Sequence, residues 1–149
     1  MRALVQRVSE GGVYIEKLGY SAEIGHGMVI LLGIKADDKD EDVIFVADKC
    51  SNLRIFEDEN EKMNLSIQDT GGEVLVISQF TLYGDARKGN RPNFTNAARP
   101  EIAERMYNNF VQRIKENLGD NRVQSGVFGA MMNVKILNNG PVTILVESK

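Results

Sequence analysis

The chain has 149 residues, a net charge of −3 and a single cysteine, Cys50. A length of this order fits one domain that buries roughly 68–70% of its unfolded surface, so neither disulfide nor metal is needed for folding. The acidic balance argues against broad nucleic-acid binding, and the lone cysteine rules out an internal disulfide.

The opening stretch MRALVQRVSE carries Arg2, Gln6, Arg7 and Glu10 where a leader peptide would need an apolar centre. RALVQRVS and EGGVYIE read as two strands around a Gly-Gly turn, and SAEIG and MVILLGI as a second pair turning at His26-Gly27. The apolar run from Met28 to Leu32 is too short to cross a membrane. A soluble cytoplasmic protein with no membrane partner is expected.

Asp40 to Leu53 predicts a helix, with Val43, Val46, Ala47, Cys50 and Leu53 on one stripe and three acids in its first turn. LRIFED reads as a short strand and ENEKMNLSIQD as a polar hairpin. GEVLVISQF is the most apolar strand, and its continuous Val74 to Ile77 predicts burial on both faces. A long loop from Tyr83 to Pro100 follows, carrying Arg87, Lys88, Arg91 and Arg99. Pro100 opens a second helix whose core face is Ala103, Met106, Tyr107, Phe110, Val111, Ile114 and Leu118, and Gly119 ends it. MMNVKIL and PVTILVES read as the last two strands, joined by Asn-Asn-Gly. Many strands with two helices indicate an α+β, barrel-like domain spanning 1–149.

Conventional catalytic groups are scarce. The one histidine, His26, sits between glycines in a predicted turn, and Cys50 lies on the apolar stripe of a helix. No zinc-type spacing, nucleophile elbow, calcium loop or phosphate loop occurs, so neither metal nor cofactor is called for. What remains is a polar strand end, Ser78, Gln79, Phe80 and Thr81, and the turn NNGPVT. A threonine without a base is a poor nucleophile. Hydrolysis here would lean on backbone N–H groups that stabilise an oxyanion, and on a labile ester. From the strand alone, local backbone capping is the favoured role of Ser78 and Thr81.

The segments SQFTLYGD (78–85) and NNGPVT (138–143) resemble the two signature motifs of the D-aminoacyl-tRNA deacylases. The likeness extends through MRALVQRVS, LRIFEDENEKMNLSIQD, KGNRPNF and GVFGAMMNVKILNNGPVT. One departure is Asn139, where the family pattern usually has aspartate. The resemblance implies a deacylase-like fold with a mixed or antiparallel sheet and a homodimer with its active sites at the subunit interface. It implies hydrolysis of the ester between a D-amino acid, or mischarged glycine, and tRNA, with L-aminoacyl-tRNA rejected.

Ser78, Gln79, Phe80 and Thr81 would line the pocket around the ester. A cis Gly140-Pro141 pair would select chirality in the partner's pocket, supported by Arg7. Thr81 is expected to position water or substrate, with a covalent role ranked second. Two other readings are a non-catalytic RNA-binding module using the basic loop, and a general hydrolase of small amino-acid esters.

Overall fold

The computed structural model describes all 149 residues. Its first element is one strand where two were expected: β1 (Arg2–Ile15) runs straight through Gly11 and Gly12. These glycines serve close packing. A Cβ on Gly11 would lie 2.9 Å from Val29 Cγ2, and one on Gly12 would lie 2.9 Å from the Tyr14 hydroxyl. β2 (Tyr20–Ile24) and β3 (Gly27–Gly33) do not pair with each other as expected. Both pair antiparallel with one edge of β1, β3 along Arg2 to Val8 and β2 along Gly11 to Ile15.

α1 (Asp40–Asn52) buries Val43, Val46, Ala47 and Cys50, and Leu53 packs against the same core from just beyond its end. β4 (Phe56–Glu57) and β5 (Met63–Leu65) form the small hairpin. A third, short helix, α2 (Ile67–Thr70), was not expected. It is started by a reciprocal cap, with Asp69 accepting from the Ser66 N–H at 2.7 Å. β6 (Glu73–Ser78) joins β3 in parallel, and β7 (Val123–Ser125), also unforeseen, joins β6 in parallel. α3 (Pro100–Leu118) buries all seven residues expected on its core face and stops at Gly119, φ +98°.

The last strand corrects another expectation. β8 (Asn133–Glu147) is a single strand antiparallel to the remaining edge of β1, from Arg2↔Glu147 to Tyr14↔Asn133. Both halves follow the same neighbour, so Asn138-Gly140 does not reverse the chain as a hairpin turn would. Asn138 pairs with Val8 and Thr143 with Gln6, and residues 139–142 loop out opposite Arg7.

The sheet is mixed, and β2 packs back against β6 and β7, curling it towards a barrel. α1 and α3 cover one face, where Ala3, Val5, Ile30, Leu32, Val74 and Val76 meet the helices. On the other face Leu75 and Ile77 join Val8, Val13, Ile24 and Val29 in a smaller cluster, roofed by residues between Val127 and Ile136. β6 is therefore buried on both sides, as its unbroken apolar run requires. No helix is long and apolar enough to cross a membrane.

Candidate functional site

The strand end Ser78–Thr81 is carried by this doubly buried strand. Pairing continues one residue past β6, where the Gln79 N–H donates to Leu32 O at 2.8 Å. The chain then tightens into a 3₁₀ turn over Phe80–Tyr83, closed by Leu82 N–H to Gln79 O at 3.3 Å and Gly84 N–H to Thr81 O at 2.9 Å. The first N–H groups of such a turn have no partner inside it. Those of Phe80 and Thr81 find no acceptor among the loop and side-chain bonds either.

Phe80 and Thr81 are exposed, while Ser78 and Gln79 are half-buried. The Gln79 side-chain amide donates to the Thr81 hydroxyl, leaving the Thr81 proton free to donate outward. The Ser78 hydroxyl has no partner within the chain. His26 lies beside the start of β6, with its carbonyl accepting from the Glu73 N–H at 3.0 Å, so it stands at the opposite end of the strand from Thr81. Cys50 is fully buried and its thiol is pushed up to about 12 by desolvation, which removes it as a nucleophile.

Several residues that shape this turn escaped the sequence reading because their partners are remote in the chain. Arg2 donates to Leu82 O at 2.9 Å, pairs with Glu147 at 2.7 Å and lies 4.8 Å over the Tyr83 ring. Gly33 lets the turn sit against β3: a Cβ there would lie 3.1 Å from both Gln79 O and Leu82 Cβ. Gly84 makes room for Phe94, whose ring meets Phe80 edge-on with centroids 5.1 Å apart.

The second motif is built around a buried guanidinium. Arg7, 6% exposed, donates from Nη1 to Ile55 O at 2.8 Å and from Nε to Asn139 O at 3.2 Å, and Glu57 lies 3.7 Å away. Asn138 closes the loop across its base. Its Oδ1 accepts from the Val142 N–H, and its Nδ2 donates to Thr143 Oγ1, both at 3.1 Å. Gly140 has φ +125°, a region glycine tolerates, and the Gly140-Pro141 peptide is cis. Both residues are exposed at the tip of the loop. Asn139 contributes only its backbone carbonyl, to the Arg7 contact, so the change from aspartate leaves the loop's anchoring in place.

The two motifs do not meet within one chain. Arg7 pairs with Met28 near the start of β3, whereas Gln79 bonds Leu32 near its end. Four residues of strand, about 13 Å, separate these levels.

Comparison with known proteins matches this chain to one family. The family described as D-Tyr-tRNA(Tyr) deacylase matches residues 4–147. The chain belongs to that family. A protein of Clostridioides difficile (strain 630) named D-aminoacyl-tRNA deacylase is 54% identical over 99% of this chain and 97% of its own length. One of Anoxybacillus flavithermus (strain DSM 21510 / WK1) with the same name is 54% identical over all of both chains. Among solved structures, the c-Myc DNA Unwinding Element Binding Protein superposes with a TM-score of 0.93 at 40% identity, covering 100% of this chain and 99% of its own. A probable eukaryotic D-amino acid tRNA deacylase superposes with a TM-score of 0.85 at 17% identity over 98% of both chains, a likeness of fold. In this D-Tyr-tRNA(Tyr) deacylase family member, residues 4–147 include every position of both motifs.

Proposed function

We propose that this member of the D-aminoacyl-tRNA deacylases cleaves the ester joining a D-amino acid, or glycine, to tRNA at a site shared by two copies of the chain. The observation that carries the reading is the separation of the two motifs on one protomer. A two-fold contact is self-complementary, so it would bring the Gly140-Pro141 loop of each copy to the other's Gln79–Thr81 turn. An uncovered apolar ladder supports such a contact: Leu4 stands between Leu31 and Leu145 in register, with Leu145 49% exposed.

Water adds to the ester carbonyl, the carbonyl oxygen takes on negative charge, and the bond to the ribose oxygen breaks as that oxygen gains a proton. The free Phe80 and Thr81 N–H groups face the developing oxyanion. The Thr81 hydroxyl, held by Gln79, positions the water or the substrate. No side-chain base adjoins it, so the activated ester and the neighbouring ribose hydroxyl of the substrate supply much of the chemistry. Thr81 as covalent nucleophile ranks second for the same reason.

Chirality is read by shape. With the amino group, ester and Cα hydrogen fixed, a D-side chain points to solvent and an L-side chain strikes the Gly140-Pro141 carbonyls. Glycine has no side chain to strike and enters. Such a gate ignores side-chain identity, so D-Tyr and D-Asp esters are turned over alike. We place the activity in the cytoplasm, where aminoacyl-tRNA is used.

Subunit complementation tests the shared site. A chain with Gln79→Ala and Thr81→Ala is mixed, after denaturation and refolding, with a chain carrying Pro141→Ala. Release of D-Tyr and L-Tyr from charged tRNA is then compared. The mixed dimer has one intact composite site, so the D/L ratio rises above that of either parent. A ratio equal to the average of the parents refutes sharing.

A further inference from the structure

We infer that the loop after the 3₁₀ turn is a phosphate-binding arm for the single-stranded end of an RNA, with Lys88, Arg91 and Arg99 as its contacts; the inference rests on the deacylase reading. The loop is closed at its base by paired backbone bonds, Asp85 N–H to Asn93 O at 2.8 Å and Asn93 N–H to Asp85 O at 2.9 Å. Residues 86–92 form the tip beyond this closure, all of them exposed. The C-terminal limb is tied to the end of β3, with Ala98 N–H donating to Ile34 O at 2.9 Å and Ala36 N–H to Asn96 O at 3.1 Å. Both limbs therefore rise from the end of the sheet that carries Gln79 and Thr81. Lys88 lies seven residues beyond Thr81, a span of no more than about 25 Å. That reach covers the first few nucleotides behind a reacting 3′ end.

The four cations in this loop are not equivalent. Arg87 is spent internally, held by Asp85 through Nε–Oδ1 at 2.9 Å and Nη2–Oδ2 at 2.5 Å. Lys88, Arg91 and Arg99 are exposed and have no carboxylate within salt-bridge distance. Arg105 and Arg113 are paired with Asp40 and Asp48, whereas Lys17, Lys49 and Lys62 are also unpaired but lie in separate segments far apart in the chain. Three free positive charges on one loop of a chain with net charge −3 form a local field opposed to the molecule's own.

The same stretch of chain carries the exposed rings of Phe80, in the 3₁₀ turn, and Phe94, in the loop, packed on each other. Free cations and exposed aromatics on one segment are what a single strand requires, since phosphates take the charges and bases stack on the rings. A membrane surface would instead favour a larger apolar face or a longer basic run.

The test compares wild type with Lys88→Ala/Arg91→Ala/Arg99→Ala and with Lys17→Ala/Lys49→Ala/Lys62→Ala, which loses equal charge at exposed sites elsewhere. For each, kcat/KM is measured against salt concentration with D-tyrosyl-tRNA and with the D-tyrosyl ester of adenosine, which has no phosphodiesters. Three lost contacts reduce the salt slope on tRNA by about 2. The expected result is that shallower slope, at least a tenfold loss at low salt, unchanged turnover of the adenosine ester, and a distal variant like wild type. A wild-type slope in the loop variant, or an equal loss on the adenosine ester, overturns the proposal.

If wild type releases no D-tyrosine from either substrate, the deacylase reading fails by itself. Binding of uncharged tRNA then decides the loop: a shallower salt slope in the loop variant upholds it, and an unchanged slope overturns it.

Discussion

Arg7 holds Asn139 by its main chain: the buried guanidinium donates to the Asn139 carbonyl at 3.2 Å while its other arm grips Ile55. The loop that bears Gly140 and Pro141 therefore depends on a charge inside the protein. Arg7→Ala leaves the buried Ile55 carbonyl unsatisfied and frees that of Asn139, and is expected to cost about 1–3 kcal/mol, read as a lowered Tm. Under the gate reading it also raises L-Tyr release relative to D-Tyr. Arg7→Lys keeps the charge but loses the rigid fork, so it is expected to behave much like alanine. A lysine variant with wild-type Tm and D/L ratio would show that charge alone suffices.

Thr81→Ala separates positioning from covalent catalysis. With only a positioning role lost, single-turnover release of D-Tyr falls by about tenfold or less. A nucleophile role predicts a loss of about a thousandfold or more.

Gly33 stands under the 3₁₀ turn. Gly33→Val pushes side-chain atoms towards Gln79 O and Leu82 and is expected to destabilise by about 1–3 kcal/mol. The displaced Phe80 and Thr81 N–H groups lower kcat further than the folded fraction explains. Circular dichroism gives that fraction, and an unchanged kcat per folded molecule would count against a supporting role.

Cys50 makes a pH prediction. Burial raises its folded pKa to about 12, whereas the unfolded thiol ionises near about 8.5. The neutral form is the one the fold favours. Between those values the unfolded chain binds fewer protons, so this contribution to stability declines as pH rises from about 8.5 towards 12. At pH 8 a thiol reagent is expected to label Cys50 only at the rate of unfolding. Rapid labelling of native protein would contradict its burial.

Much of the fold was legible because some residues speak for themselves. The α3 stripe from Ala103 to Leu118 repeats at helical spacing, and Val74 to Ile77 has no polar face to offer solvent. Gly11-Gly12 was misread because glycine marks both turns and close approach, and the deciding neighbour, Val29, belongs to another strand. Asn138-Gly140 failed similarly: a hairpin signal is local, whereas the pairing of both flanks with β1 is not. The motif Ser78–Thr81 could be located from sequence. Its supports, Arg2 and Gly33, could not, since nothing near them in the chain points to Leu82 or Gln79. Arg87 looked like one of four equal charges until Asp85 was seen to hold it.

Pairing of Arg2 with Glu147 bears on how the molecule is made. β1 gains its last neighbour, β8, only once the whole stretch between Ile15 and Asn133 has also been made. Until then one flank of that strand is bare backbone. Contacts of such wide separation form slowly, so the sheet is expected to close late in folding, with the bare edge of β1 open to aggregation in the interval.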